Sequence, residues 1–142
     1  MEPDENFMRE ALRLAMKARE AEEVPVGAVV VRLLKDATAH AEMLALTAAE
    51  AAVGDWRLTD CDLYVTKEPC PMCAGAIVHT RVRRVIFGCA DVRAGAAGTV
   101  MNLLQHSSLN HQTQITSGVL QDECAAILQD FFRTKRNPKS DV

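Results

Sequence analysis

The sequence predicts an α/β fold in three layers, with helices covering both faces of one sheet. Three observations carry this expectation. Runs of strand character alternate along the chain with stretches of helical periodicity, and such alternation builds a sheet flanked by helices. The 142 residues amount to one domain, enough to bury a core without staples. A cysteine pair falls where a strand gives way to a helix, and open α/β sheets place their sites at strand ends.

Taken in order, Pro3 and Asp4 open a helix that runs to about Glu22, with Phe7, Ala11, Leu14, Ala15 and Ala18 on one face at helical spacing. Pro25 to Val31 reads as a buried strand and Arg32 to Thr38 as a short polar link. Ala39 to about Ala52 is the second helix, and Gly54 to Asp60 a loop. Asp62 to Thr66 alternates apolar and polar residues as a half-buried strand does. Pro71 suits the first turn of a helix that continues to about His79. Arg81 to Gly88 is the next strand. Asp91 to Gly98 is a loop of glycine and alanine suited to close approach of a ligand. Met101 to Gln105 reads as a short helix and Gln114 to Val119 as a last strand. A final helix from Asp122 to about Arg136 turns Cys124, Leu128, Phe131 and Phe132 towards the body, and Asn137 to Val142 is a frayed tail. With no repeat, low-complexity stretch or linker, a single domain over residues 1–142 is expected.

Composition narrows the function classes. Hydrophobic residues make up 49% and charged residues 25%, as in an ordinary soluble globular protein. The net charge of −3 argues against a general nucleic-acid binder and leaves room for a local basic patch. Five cysteines, an odd number, with no secretory leader pattern, point to a reduced cytoplasmic setting. No apolar run approaches the roughly 18 residues of a membrane span.

The chemistry concentrates in Lys67-Glu68-Pro69-Cys70-Pro71-Met72-Cys73-Ala74-Gly75, read with Thr38-Ala39-His40-Ala41-Glu42 upstream. Cys70 and Cys73 fall in the first turn of a helix, where free N–H groups and the positive end of the macrodipole favour thiolate. His40, at the start of another helix, supplies a nitrogen ligand. Two cysteines and one histidine make three protein ligands, and tetrahedral zinc with three protein ligands keeps its fourth position for water or substrate. Glu42 is the acid-base group. On an ideal helix it points about 200° away from His40, so both serve one metal only if it lies in front of the helix N-terminus. A structural zinc site or a redox pair is the alternative use of the cysteines. A structural site wants a fourth ligand, and Cys61, Cys89 and Cys124 are scattered. His79, His106 and His111 read as structural or surface residues, with His106 a weaker substrate candidate.

His-x-Glu followed by Pro-Cys-x-x-Cys is the zinc deaminase signature. From Pro25 onward the chain resembles the cytidine-deaminase fold and, within it, the bacterial tRNA-specific adenosine deaminases. The resemblance rests on Val24-Pro25-Val26-Gly27-Ala28, the His40 and Cys70 motifs, Tyr64-Val65-Thr66, Gly95-Ala96-Ala97-Gly98 and Asp130-Phe131-Phe132-Arg133. It implies a mixed sheet, one zinc per chain on His40, Cys70 and Cys73, and Glu42 as proton shuttle. The reaction it implies is conversion of adenosine to inosine at the wobble position of a tRNA anticodon stem-loop by a homodimer. Val26, Asp91, Phe131, Phe132 and Arg133 would lie near the anticodon loop.

The chain departs from the family between its first strand and second helix. The family runs through a hairpin into a second strand, followed by an asparagine that touches the target base. Only seven residues, Arg32 to Thr38, join the two elements here, and a hairpin strand of about five residues with a two-residue turn would use them all. Either the hairpin is deleted or a segment is skipped, and the continuous numbering favours deletion. Deletion would expose Val26 to Val31 as a sheet edge and leave the asparagine without a counterpart. Three other functions stay open beside wobble deamination: a deaminase of free bases or nucleosides, a compact engineered deaminase of single-stranded DNA, and a zinc-containing tRNA-binding subunit without turnover.

Overall fold

The computed structural model of the chain describes residues 3–20 and 41–136. Leu63, Val65, Val85 and Phe87 alternate with Tyr64 and Ile86 along two strands, so each strand offers an apolar row to both faces. These strands, β1 (Asp62–Lys67) and β2 (Arg84–Cys89), pair in parallel, with Leu63 opposite Val85 and Tyr64 opposite Ile86. A third, β3 (Gln114–Thr116), pairs in parallel with the other side of β2. The described strands are thus all parallel. The strand expected over Pro25 to Val31, on which the mixed character of the sheet depends, lies outside the described residues, as do the link to Thr38 and the tail.

Helices cover both faces. On one face α2 (Ala41–Val53) and α3 (Pro71–His79) bury Ala41, Ala45, Leu46, Ala74, Ile77 and Val78 against Leu63, Val65, Val85 and Phe87. On the other, α1 (Pro3–Glu20) and α4 (Gln121–Arg136) bury Met8, Ala11, Cys124 and Leu128 against Tyr64 and Ile86. The three layers of the sequence expectation are therefore present. α1 is pinned to the sheet by polar contacts as well. The Tyr64 hydroxyl donates to Asp4 at 2.8 Å, and Arg84 bridges Asp4 at 3.0 Å and Asp62 at 3.6 Å.

Four expectations need correction. Phe7 is half exposed against the Tyr64 ring, and Met8 takes the core position instead. Ala11 and Ala15 are buried as expected, and Met8, about 100° round the helix from Phe7, completes the inward stripe. The second strand begins at Arg84 rather than Arg81, because α3 first needs a stop. Arg81 takes a φ of 59°, donating its N–H to Val78 O while Val82 N–H reaches Ile77 O. This is a Schellman ending with arginine where glycine is usual. The last strand stops at Thr116, short of Val119. Met101 to Gln105 forms no helix. Ala97 and Asn102 make an antiparallel bridge, with Leu103 N–H on Ala96 O at 2.9 Å and Gly98 N–H on Met101 O at 2.9 Å. Backbone groups spent on that bridge are not free for helical bonds.

Candidate active site

β1 and β2 run in the same direction, so their C-terminal ends deliver Glu68-Pro69-Cys70 and Asp91 to one edge of the sheet. Cys70 is the N-cap of α3, with extended backbone and no side-chain capping bond, and Pro71 follows at the first helical position. Proline there fixes φ without removing a needed donor. Cys73 is fully buried in the first turn. Glu42 occupies the first turn of α2 and is only 4% exposed.

Packing of α2 on α3 brings these groups together. The Cys73 thiol is hydrogen-bonded to the Glu42 carboxyl and to the Cys70 thiol. Burial first, then the charge of Glu42 and that of Cys70, push the Cys73 thiol above its ordinary value. Cys70, Cys73 and Glu42 thus meet where α2 packs on α3. Among the described residues no three potential ligands form a metal-binding group. His40, the expected third ligand, directly precedes α2 and lies outside the described residues.

The expected substrate residues are dispersed. Val26 lies outside the described residues. Asp91 stands at the end of β2 with its carboxylate engaged. Oδ1 accepts the N–H groups of Arg93 at 2.9 Å and Ala94 at 3.1 Å, and Oδ2 pairs with Lys67 at 3.3 Å. Phe131, Phe132 and Arg133 belong to α4, in the layer opposite α2 and α3. Phe131 is 7% exposed, but Phe132, expected to face the body, is 41% exposed because adjacent helix positions lie about 100° apart, and Arg133 pairs with Asp130. His106 Nδ1 accepts Ser108 N–H, and His111 bonds Val82 O at 2.7 Å. At the far end of α3, His79 stacks on Trp56, with Arg57 and Arg81 also over the indole. The basic residues Arg83 and Arg84 pair with Asp62 and Asp4, as a charged strand face does.

Sequence reasoning gave Glu68 no role of its own, yet it is 2% exposed and accepts several hydrogen bonds. The available signal was an acidic residue set between an apolar strand and the cysteine motif. No described helix is long and apolar enough to cross a membrane.

Comparison with known proteins gives a consistent picture. The MafB19-like deaminase family profile matches residues 32–136. The tRNA-specific adenosine deaminase of Bacillus subtilis (strain 168) is 47% identical over 152 positions, covering 98% of this chain and 94% of that protein. The enzyme of that name from Haemophilus influenzae is 42% identical over 150 positions, covering 96% and 87%. The Bacillus alignment spans 152 positions against 142 residues here, so that relative has at least ten residues without a counterpart. That surplus is of the size of a hairpin turn with one strand. A solved structure from studies of A-to-I editing by tRNA:A34 deaminases at the wobble position superposes with a TM-score of 0.80 and 40% identity. It covers 87% of this chain and 99% of that one, and the three layers are those of the cytidine-deaminase-like fold. With a family profile spanning most of its length and relatives above 40% identity over 96–98% of it, the chain belongs to the tRNA-specific adenosine deaminases, hydrolases of a cyclic amidine carbon–nitrogen bond.

Proposed function

We propose that the chain deaminates adenosine to inosine at the wobble position of a tRNA anticodon, with one zinc held by His40, Cys70 and Cys73. The observation that carries this is the buried Glu42 carboxyl bonded to the Cys73 thiol. A buried carboxyl beside the cysteine pair supports a proton-transfer role for Glu42 next to the proposed metal donors. Relatives named as tRNA-specific adenosine deaminases supply the substrate class.

Zinc, when bound, supplies Lewis acidity that makes water a competent nucleophile near neutral pH. Glu42 takes a proton from the water that adds to carbon 6 of the base. It delivers that proton to the exocyclic nitrogen, the carbon–nitrogen bond breaks, ammonia leaves, and the new oxygen remains on the ring as inosine. Carboxylate burial keeps Glu42 in one orientation and shields the transfer from bulk solvent. The target base leaves the anticodon stack to reach it. Asp91 and Phe131-Phe132-Arg133 serve the RNA side, and Val26 lines the approach. One domain, cytoplasmic and working as a homodimer, completes the reading.

The test is mass spectrometry for inosine after the zinc-loaded protein meets an anticodon stem-loop with adenosine at the wobble position, with the matching DNA strand and free adenosine alongside. Inosine in the RNA is expected. Glu42→Ala should keep zinc and lose turnover, and a variant that still turns over removes Glu42 from the reaction. Product only from free adenosine or from DNA would reassign the substrate. No product at all from a folded, zinc-loaded protein would favour an RNA-binding subunit.

A further inference from the structure

We infer that Glu68 is a positioning residue that clamps the loop over residues 91–101 to the head of α3 and so holds an RNA-facing wall beside the site. The inference rests on the proposed RNA substrate. It begins from an unusual carboxylate. Glu68 follows β1 directly, is almost wholly buried, and among the described residues has no lysine or arginine partner. Its solvation comes from donors 23 to 31 residues further along the chain. Oε1 accepts Asp91 N–H at 3.0 Å and the Thr99 hydroxyl; Oε2 accepts Ala97 N–H at 2.9 Å and Thr99 N–H at 3.1 Å. Four donors on one carboxylate are strong, charge-assisted bonds and fix the path of the loop that carries them.

The neighbouring backbone closes the clamp. Glu68 N–H donates to Cys89 O at 2.9 Å, and Pro69 O accepts Ala96 N–H at 2.8 Å. The loop is therefore tied to the two residues that immediately precede Cys70. Gly95 lets the chain pass: a Cβ there would stand 2.4 Å from Oε1 and 2.5 Å from Asp91 O. On its outer side the loop presents Val92, Arg93, Val100 and Met101 to solvent. Apolar and cationic side chains of this kind suit a base or ribose beside a phosphate. The clamp thus sets where RNA rests relative to the cysteines, while Glu42 and the metal donors lie outside it.

Glu68→Gln keeps the volume but turns an NH2 group towards N–H donors, losing bonds on one side of the cradle. The KM for the stem-loop should rise about tenfold, the effect of losing roughly one charge-assisted bond. The kcat should stay within about threefold by the same reasoning, since the reacting groups are untouched. Zinc content should match the parent, and the amides of Asp91, Ala97 and Thr99 should exchange hydrogen faster. Thr99→Val removes only the hydroxyl donor and should shift KM and exchange in the same direction by less. A fall in kcat at unchanged KM, loss of zinc, or unchanged KM and exchange would overturn the inference. If Glu68→Gln does not fold, Thr99→Val decides by the same criteria. Amide exchange and stem-loop affinity need no turnover, so they read the clamp even if the parent makes no inosine and the functional reading fails.

Discussion

Gly88→Ala is a sharp test of how α4 is seated on the sheet. A Cβ at this position would stand 2.3 Å from Cys124 Sγ, 2.8 Å from Cys124 Cβ and 2.8 Å from Thr66 O. Comfortable carbon contacts begin near 3.5 Å, so about an ångström must be found. Thr66 O belongs to β1 and cannot yield without bending the strand pair, which leaves α4 to move. Overpacking of a close-packed interior costs about 1–3 kcal/mol, and rigid atoms on two sides place this case at about 2–3. For a chain of this size about 3 °C of melting temperature goes with each kcal/mol, so a drop of about 6–9 °C is expected. Thermal and urea unfolding followed by circular dichroism would measure it, as a cycle with Cys124→Ala. Burial pushes the Cys124 thiol up to about 12, so that substitution removes a neutral group and on its own should cost about 1 kcal/mol. In the double variant the shortest contact is gone while those with the Cβ of residue 124 and with Thr66 O remain. It should therefore be more stable than the sum of the single effects by about 1 kcal/mol, yet less stable than the parent. A Gly88→Ala protein melting within 1 °C of the parent, or strict additivity, would refute this account of the α4–sheet contact.

Two other expectations follow from side-chain environments. Partial burial alone would raise the Asp91 carboxyl, but the N–H groups of Arg93 and Ala94, then Lys67, outweigh it and hold it below the usual range. A carboxyl lowered in the folded state stabilises fully above its unfolded value near 3.9 and loses that contribution as pH falls through the folded one. Melting temperature should therefore fall less steeply below about pH 4 in Asp91→Asn than in the parent, and parallel curves would dismiss the effect. The adjacent phenylalanines of α4 should separate cleanly. Phe131→Ala, at a buried position, should cost about 3 kcal/mol of stability. Phe132→Ala, at an exposed one, should leave melting nearly unchanged while weakening stem-loop binding by about 1–3 kcal/mol if it stacks on a base. Titration of a fluorescent stem-loop distinguishes the two, and equal binding by Phe132→Ala and the parent would place that ring outside the RNA contact.

Much of this architecture was legible because it is local. The run from Asp62 to Thr66 announces a strand and Pro71 between two cysteines announces a helix start, whereas burial of both strand faces and the place of Cys70 at the cap rather than inside the first turn emerge only from the structure. What escaped depends on distant parts of the chain. Nothing near Glu68 reveals that its carboxylate will meet amides from residues 91–99. Met101 to Gln105 has a helical composition, but its bridging partner Ala97 claims the backbone bonds. On α1, spacing could not decide between Phe7 and Met8, since one step of rotation suits either.

Trp56, the one tryptophan of the sequence, is 48% exposed and stands outside the buried core. Its indole touches His79 and Arg81 from the end of α3 and Arg57 from its own loop. Intrinsic fluorescence of this protein is therefore a local gauge of the junction between the end of α3 and the loop that leads into β1. If that junction loosens before the sheet melts, the emission will shift while the far-ultraviolet dichroism holds. The chain thus carries a built-in reporter for partial opening that needs no label.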